Sequence, residues 1–170
     1  RRRTFDRCSF AQQGYRLPSK DYEAIGKCSK GRKHFVLCVC LTPGLLNNHL
    51  IGVLSSIQGL HCILEVHSVG ELERVLELGP EVLDSSRVAL GVNNRDLGTF
   101  KVELANTNVL LSGDRKAEVD RLGLLTVGES GIFTPDDVKF LYDSAGIGAI
   151  LVGESLVKQE DIEAATKALL

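Results

Sequence analysis

The stretch RVALGVNNRDLGTF, Arg87–Phe100, opens as a buried strand and then sets two amides, a guanidinium and a carboxylate side by side at Asn93, Asn94, Arg95 and Asp96. Apolar, β-branched residues up to Val92 suit a strand covered on both faces, as strands of a parallel sheet are. Four polar groups in a row at its end are either a solvated turn or a set of groups aimed at a ligand. The neighbouring segments choose between these readings.

The same pattern recurs along the chain. HFVLCVCL, HCILEV, RVALGV, LGLLTV and IGAILV are short apolar runs separated by amphipathic segments, and the last four end at Val66, Val92, Val127 and Val152. The spacings of 26, 35 and 25 residues between those valines fit one strand, one helix and two loops. Right-handed crossovers then predict a parallel sheet covered by helices. Ser68 with Glu71, and Thr134-Pro135 with Asp136 and Asp137, predict helix starts, because a hydroxyl and a carboxylate can satisfy the free N–H groups of a first turn. Gly79-Pro80 and Gly146 predict the corresponding stops, and a last helix is expected from about Leu156 onward.

Polar groups stand at the C-terminal ends of the last four of these strands: EVHS at 65–68, VNNRD at 92–96, and VGES at both 127–130 and 152–155. In a (β/α)8 TIM barrel that edge carries the chemistry, and the loops after strands seven and eight commonly hold a phosphate. Glycine lets a backbone approach an anion, and a following helix start offers N–H donors. A single Gly-Glu-Ser is also an ordinary turn and cap.

Composition bounds the rest. The chain of 170 residues, 44% apolar and 25% charged, has room for one ordinary domain. Its longest apolar runs, such as FVLCVCL, fall well short of the roughly 20 residues of a membrane-spanning helix, so no membrane partner is expected. Cysteines at 8, 28, 38, 40 and 62 form no CxxC pair, and no histidine stands at zinc-finger spacing, so no metal site is expected. Residues 1–34 carry ten Lys or Arg against three Asp or Glu, and residues 35–170 carry ten against nineteen. The basic front reads as a poorly ordered leader over residues 1–33, ahead of a partial barrel domain over 34–170. No RNA-binding aromatic motif is interleaved with those charges, so no nucleic-acid partner is expected. The sequence contains no methionine, which suggests a fragment or a processed product.

LEVHSVGELERVLELG, GVNNRDLGTFKVEL, VGESGIFTPDDVKFL and ILVGESLVKQED occur in the order and spacing of indole-3-glycerol-phosphate synthase. The chain resembles that family, in its plant-type form, from about Leu60 to Leu170. SKGRKHFVLCVCLTP is similar to its fourth strand only loosely. The resemblance implies the C-terminal part of a TIM barrel, strands four or five to eight. It also implies tryptophan biosynthesis: 1-(2-carboxyphenylamino)-1-deoxyribulose 5-phosphate is closed to indole-3-glycerol phosphate with loss of carbon dioxide and water. No cofactor is implied. A plastid is the implied compartment for a plant chain, and the cytoplasm otherwise.

By resemblance, Glu65 acts in proton transfer. A carboxylate flanked by apolar residues should have a raised pKa, as that task requires, although a buried ion-pair partner is the plainer reading. His67 can share the same face, and with no partner evident it reads as packing or hydrogen bonding. Asn93 would orient substrate. Arg95 would grip a carboxylate, either the substrate's or that of Asp96, while Asn94 and Asp96 brace the loop. Glu129 and Ser130 would face the substrate, with Gly131 near its phosphate. Gly153, Glu154 and Ser155 would form the strand-eight phosphate loop, with backbone amides and Ser155 as donors because the Glu154 carboxylate repels phosphate. The family's first-strand glutamate and lysine with Ser-Pro-Ser are absent. Lys20, in Lys20-Asp21-Tyr22, resembles the third-strand general acid, but the spacing after it is shorter. Such a chain is expected to be weakly active or inactive alone, with self-association through an open barrel edge. The competing reading is a non-catalytic, phosphate-binding half-barrel.

Overall fold

In a computed structural model of the chain, residues 23–25, 36–40, 61–83 and 86–169 are described. Six strands form one sheet in chain order: β1 Glu23–Ile25, β2 Val36–Cys40, β3 His61–Val66, β4 Val88–Asn93, β5 Leu125–Glu129 and β6 Ala149–Leu151. From β2 to β6 every neighbouring pair is parallel. A parallel sheet whose strand order equals its chain order is wound in one direction only, as in a segment of barrel wall. The architecture is that of a partial (β/α) barrel.

β1 departs from the expectation, since it pairs antiparallel with β2 inside the segment read as an irregular leader. Three residues, Glu-Ala-Ile, are too few for a hydrophobic period to show. The remainder of that segment, Lys20 included, lies outside the described residues.

Among the described residues the helices are α1 Val69–Leu76, α2 Ala105–Leu110, α3 Gly113–Leu122, α4 Pro135–Ala145, α5 Glu154–Val157 and α6 Ile162–Leu169. Strand alternation divides the sheet's residues between two faces. Cys62, Leu64 and Val66 of β3 and Val88, Leu90 and Val92 of β4 join Leu72 and Val75 of α1, Leu110, Val119 and Leu141 in one buried cluster. Each large side chain there that is fully withdrawn from water contributes about 1.5–3 kcal/mol relative to exposure. The opposite face carries Ile63, Glu65, Gly91, Asn93, Val127 and Glu129, all buried as well.

Local punctuation follows the sequence closely at α4. Thr134 Oγ1 accepts from the Asp137 N–H, and the Asp137 carboxylate accepts from the Thr134 N–H, a reciprocal cap with Pro135 at the first helical position. Gly146 ends the helix at φ 67°, its N–H donating to the Tyr142 carbonyl. Two expectations fall differently. The 35-residue interval between Val92 and Val127 holds two helices, α2 and α3, broken at Leu111-Ser112. The final helix is likewise two, because Asp161 Oδ1 accepts from the Ala164 N–H and starts α6 afresh.

Thr134→Ala removes one half of the α4 cap and should lower stability by about 1 kcal/mol in urea unfolding. An unchanged midpoint would show that Pro135 and Asp137 start the helix without it.

Candidate active site

The register of the parallel pairs builds the site. Glu65 lies opposite Gly91 across β3 and β4, and Asn93 opposite Glu129 across β4 and β5. Because the side-chain period is two, Glu65, Asn93 and Glu129 all emerge on the face turned away from the helix-covered core. Gly91 is the gap among them. A Cβ at that position would overlap the Glu129 carboxyl group and come within 2.9 Å of Ile63 Cγ2.

Glu65 and Glu129 are 5% and 4% exposed, so neither is solvated enough to disregard the other's charge. Glu65 Oε1 accepts from Asn93 Nδ2 at 2.5 Å and lies 3.1 Å from His67 Nε2. Asn93 Oδ1 in turn accepts from the Arg95 N–H at 2.9 Å, which fixes its amide orientation. Glu129 Oε1 is buried and makes no hydrogen bond among the described residues. Burial first, and then the charge of Glu65, push the Glu129 carboxyl up to about 8, against a smaller pull from His67. Glu129 therefore holds a proton at neutral pH, while Glu65 accepts from Asn93 and has His67 beside it. The pair divides into a proton carrier and a carboxylate, the arrangement that acid–base chemistry needs.

The NNRD stretch separates into distinct tasks. Asn94 stitches strand ends: Nδ2 donates to the Glu129 carbonyl at 3.1 Å, and Oδ1 accepts from Thr107 Oγ1 at 2.7 Å. Asp96 Oδ1 accepts from the N–H groups of Gly98 and Thr99 and from the Thr99 hydroxyl, closing the loop on itself. Both are braces, as expected. Arg95 does not bind Asp96; its Nη2 lies 3.0 Å from Glu154 Oε2, because Asp96 is already held by Thr99 and Gly98. Glu154 also receives Lys158 at 2.8 Å, and those two cations, Lys158 foremost, hold its carboxyl below the ordinary range.

Beyond β5 the backbone is strained. Ser130 has φ 62° although it is not glycine, and Gly131 follows at φ 77°. A Cβ on Gly131 would run into Val102 Cγ1, so glycine is needed there for both conformation and space. Strain of this sort costs about 1–3 kcal/mol and collects at working sites. At the other glycine turn, Ser155 Oγ donates to the Ile132 carbonyl at 2.9 Å. Its proton is thus committed within the protein.

Two participants escaped the sequence reading. Asn106 Nδ2 donates to the carbonyls of His67 and Asn93, both at 3.2 Å, tying the ends of β3 and β4 to α2. Glu71, read only as a cap, places Oε2 2.6 Å from the His67 backbone nitrogen and 3.3 Å from His67 Nδ1. The spacings Glu65, His67, Glu71 carried that signal once His67 was placed at a strand end.

The native Glu129 keeps its proton up to about pH 8, whereas the unfolded chain releases it near 4.5. The native state therefore holds more protons in that window, and stability must fall as pH rises through it. His67 acts in the same direction: its raised pKa gives stability that is full below 6.5 and lost as pH rises through the folded value. Between pH 5 and 8 the chain should lose on the order of 3 kcal/mol in urea unfolding, and Glu129→Gln clearly less. Equal losses would show Glu129 already ionised at neutral pH.

Comparison with known proteins places this geometry in context. A family model described as indole-3-glycerol phosphate synthase matches residues 35–169. The chloroplastic indole-3-glycerol phosphate synthase of Arabidopsis thaliana is 38% identical over 135 residues, which cover 79% of this chain and 32% of that protein. The enzyme of the same name from Rippkaea orientalis is 44% identical over 103 residues, 61% of this chain and 32% of its own. That from Crocosphaera subtropica is 37% identical over 132 residues, 78% and 42% respectively. The chain thus spans about a third of the length of the relatives it matches.

Proposed function

The chain belongs to the indole-3-glycerol phosphate synthase family, and from that premise we propose that it carries part of the site that converts 1-(2-carboxyphenylamino)-1-deoxyribulose 5-phosphate to indole-3-glycerol phosphate. The reaction is a carbon–carbon lyase step. The aromatic carbon bearing the carboxylate bonds to the ketose carbonyl carbon, carbon dioxide leaves, and the former carbonyl oxygen departs as water. That oxygen must receive protons, and the ring system must give one up.

The observation that carries the reading is the division of protons between two adjoining buried carboxyls. Glu129, held protonated by burial and by its neighbour, is suited to give a proton. Glu65, gripped by Asn93 Nδ2, is suited to take one. Arg95 would meet the substrate's carboxylate. Its present partner, Glu154, is half exposed, and a solvent-screened ion pair of that kind is weak, so it exchanges readily for a substrate. Ser130 and Gly131, bent over the end of β5, and Gly153, Glu154 and Ser155 after β6 would enclose the phosphate, with main-chain N–H groups as donors. No cofactor enters this reading. For a plant chain the reading extends to the plastid, since the Arabidopsis relative is described as chloroplastic.

Addition of the carboxyphenylamino-deoxyribulose phosphate to the 170-residue chain should give saturable binding and only a slow rise in indole fluorescence, as expected of a weakly active chain. Glu65→Gln should slow that rise by about 10²- to 10⁴-fold while leaving binding in place. Binding without any fluorescence would favour the phosphate-binding half-barrel, and no binding at all would remove both readings. β6 is paired on one side only among the described residues, which supports self-association through that edge. Sedimentation velocity should then show a coefficient that rises with concentration, and a constant monomer value would count against it.

A further inference from the structure

Behind Glu65 stands a second carboxyl–imidazole contact that the reading above leaves unused. His67 Nε2 faces Glu65 Oε1 at 3.1 Å, and its other nitrogen faces Glu71 Oε2 at 3.3 Å. Nε2 is buried and makes no hydrogen bond among the described residues, so its tie to Glu65 is one of proximity. Glu71 Oε2 also accepts from the His67 N–H at 2.6 Å, and Asn106 Nδ2 donates to the His67 carbonyl. His67 and Glu71 are nearly as buried as Glu65. A capping carboxylate ordinarily reaches back to the N–H of the cap residue, as Asp137 does to Thr134 in α4. In both helices the carboxylate also accepts from the N–H one residue earlier, Phe133 in α4 and His67 in α1, but only Glu71 lies beside a ring as well, 3.3 Å from His67 Nδ1. The start of the helix is therefore used to fix an imidazole.

We propose that His67, clamped by Glu71, is a positioning residue that sets its imidazole beside Glu65 and so keeps negative charge on Glu65. The inference deepens the proton division assigned above and rests on it. The charged groups that act on or around the imidazole are Glu65 from β3, Glu71 from α1, Glu129 from β5 and, at longer range, Asp96 from the loop after β4. All are acidic. The contact with Glu65, followed by the charges of Glu65 and Glu71, outweighs burial and raises the imidazole above its ordinary value. A cation beside Glu65 favours its carboxylate form. It also draws down the Glu129 carboxyl, which would otherwise sit higher still.

The test reads protonation in the whole 170-residue chain without substrate, so its result does not depend on turnover. Histidine ring resonances are followed against pH by NMR, with His67 assigned from the His67→Gln spectrum. In the unaltered chain the His67 midpoint should lie above 6.5. Glu71→Asp keeps a carboxylate able to cap the helix, as Asp137 does, but withdraws it from the ring, and should lower that midpoint by about one pH unit. In His67→Gln the Glu129 carboxyl carbon should titrate above the roughly pH 8 of the unaltered chain. If the His67 midpoint does not move in Glu71→Asp, or Glu129 titrates at the same pH with and without the imidazole, the positioning role is wrong. A Glu129 that is fully ionised at pH 6 in the unaltered chain would instead overturn the proton division itself.

Discussion

Two carboxyl groups, Glu65 and Glu129, share a dry face of the sheet, and neither can ignore the other's charge. Their coexistence constrains everything around them. Gly91 must lack a side chain for Glu129 to lean across β4. Asn93 must turn its amide nitrogen, not its oxygen, toward Glu65, and it is held that way by the Arg95 N–H. One carboxyl must keep its proton, and burial assigns it to Glu129, whose Oε1 has no donor among the described residues.

Around that pair the protein uses its polar side chains mainly to tie strand ends together. Asn94 joins β4 to β5 and to α2, and Asn106 joins β3 and β4 to α2. Asp96 closes its own loop. These bonds leave the groups that face the mouth little freedom, which matters because a misplacement of about 1 Å at a reacting centre can cost 10²-fold in rate. The exposed Arg95–Glu154 pair is the exception, a contact between the loop after β4 and the first residue of α5 that is weak enough to be exchanged.

Much of this was legible in the residues. The apolar runs ending at Val66, Val92, Val127 and Val152 correspond to β3 to β6 within a residue or two, because a parallel strand buried on both faces is a continuous apolar segment. Thr134, Pro135, Asp137 and Gly146 marked α4 from end to end, since capping is local chemistry. Local chemistry was silent where the cap is absent: α2 begins at Leu104 with no side-chain cap, and its separation from α3 went unread. β1 was missed for its brevity. The partners of His67 were missed because a capping box was read as complete within the helix, when its carboxylate also serves a strand.

By itself the sequence determined the order of β3 to β6, which follows from period and spacing, and it carried the motifs by which the chain resembles its family. Only the tertiary structure decided which of Glu65 and Glu129 is charged. A pKa depends on burial and on neighbours that are remote in the chain: Glu129 lies 64 positions from Glu65, yet the fold brings them together across a single glycine. The fate of Arg95 was decided in the same way, because its partner, Glu154, is brought to it by the winding of the sheet and not by the loop in which it stands.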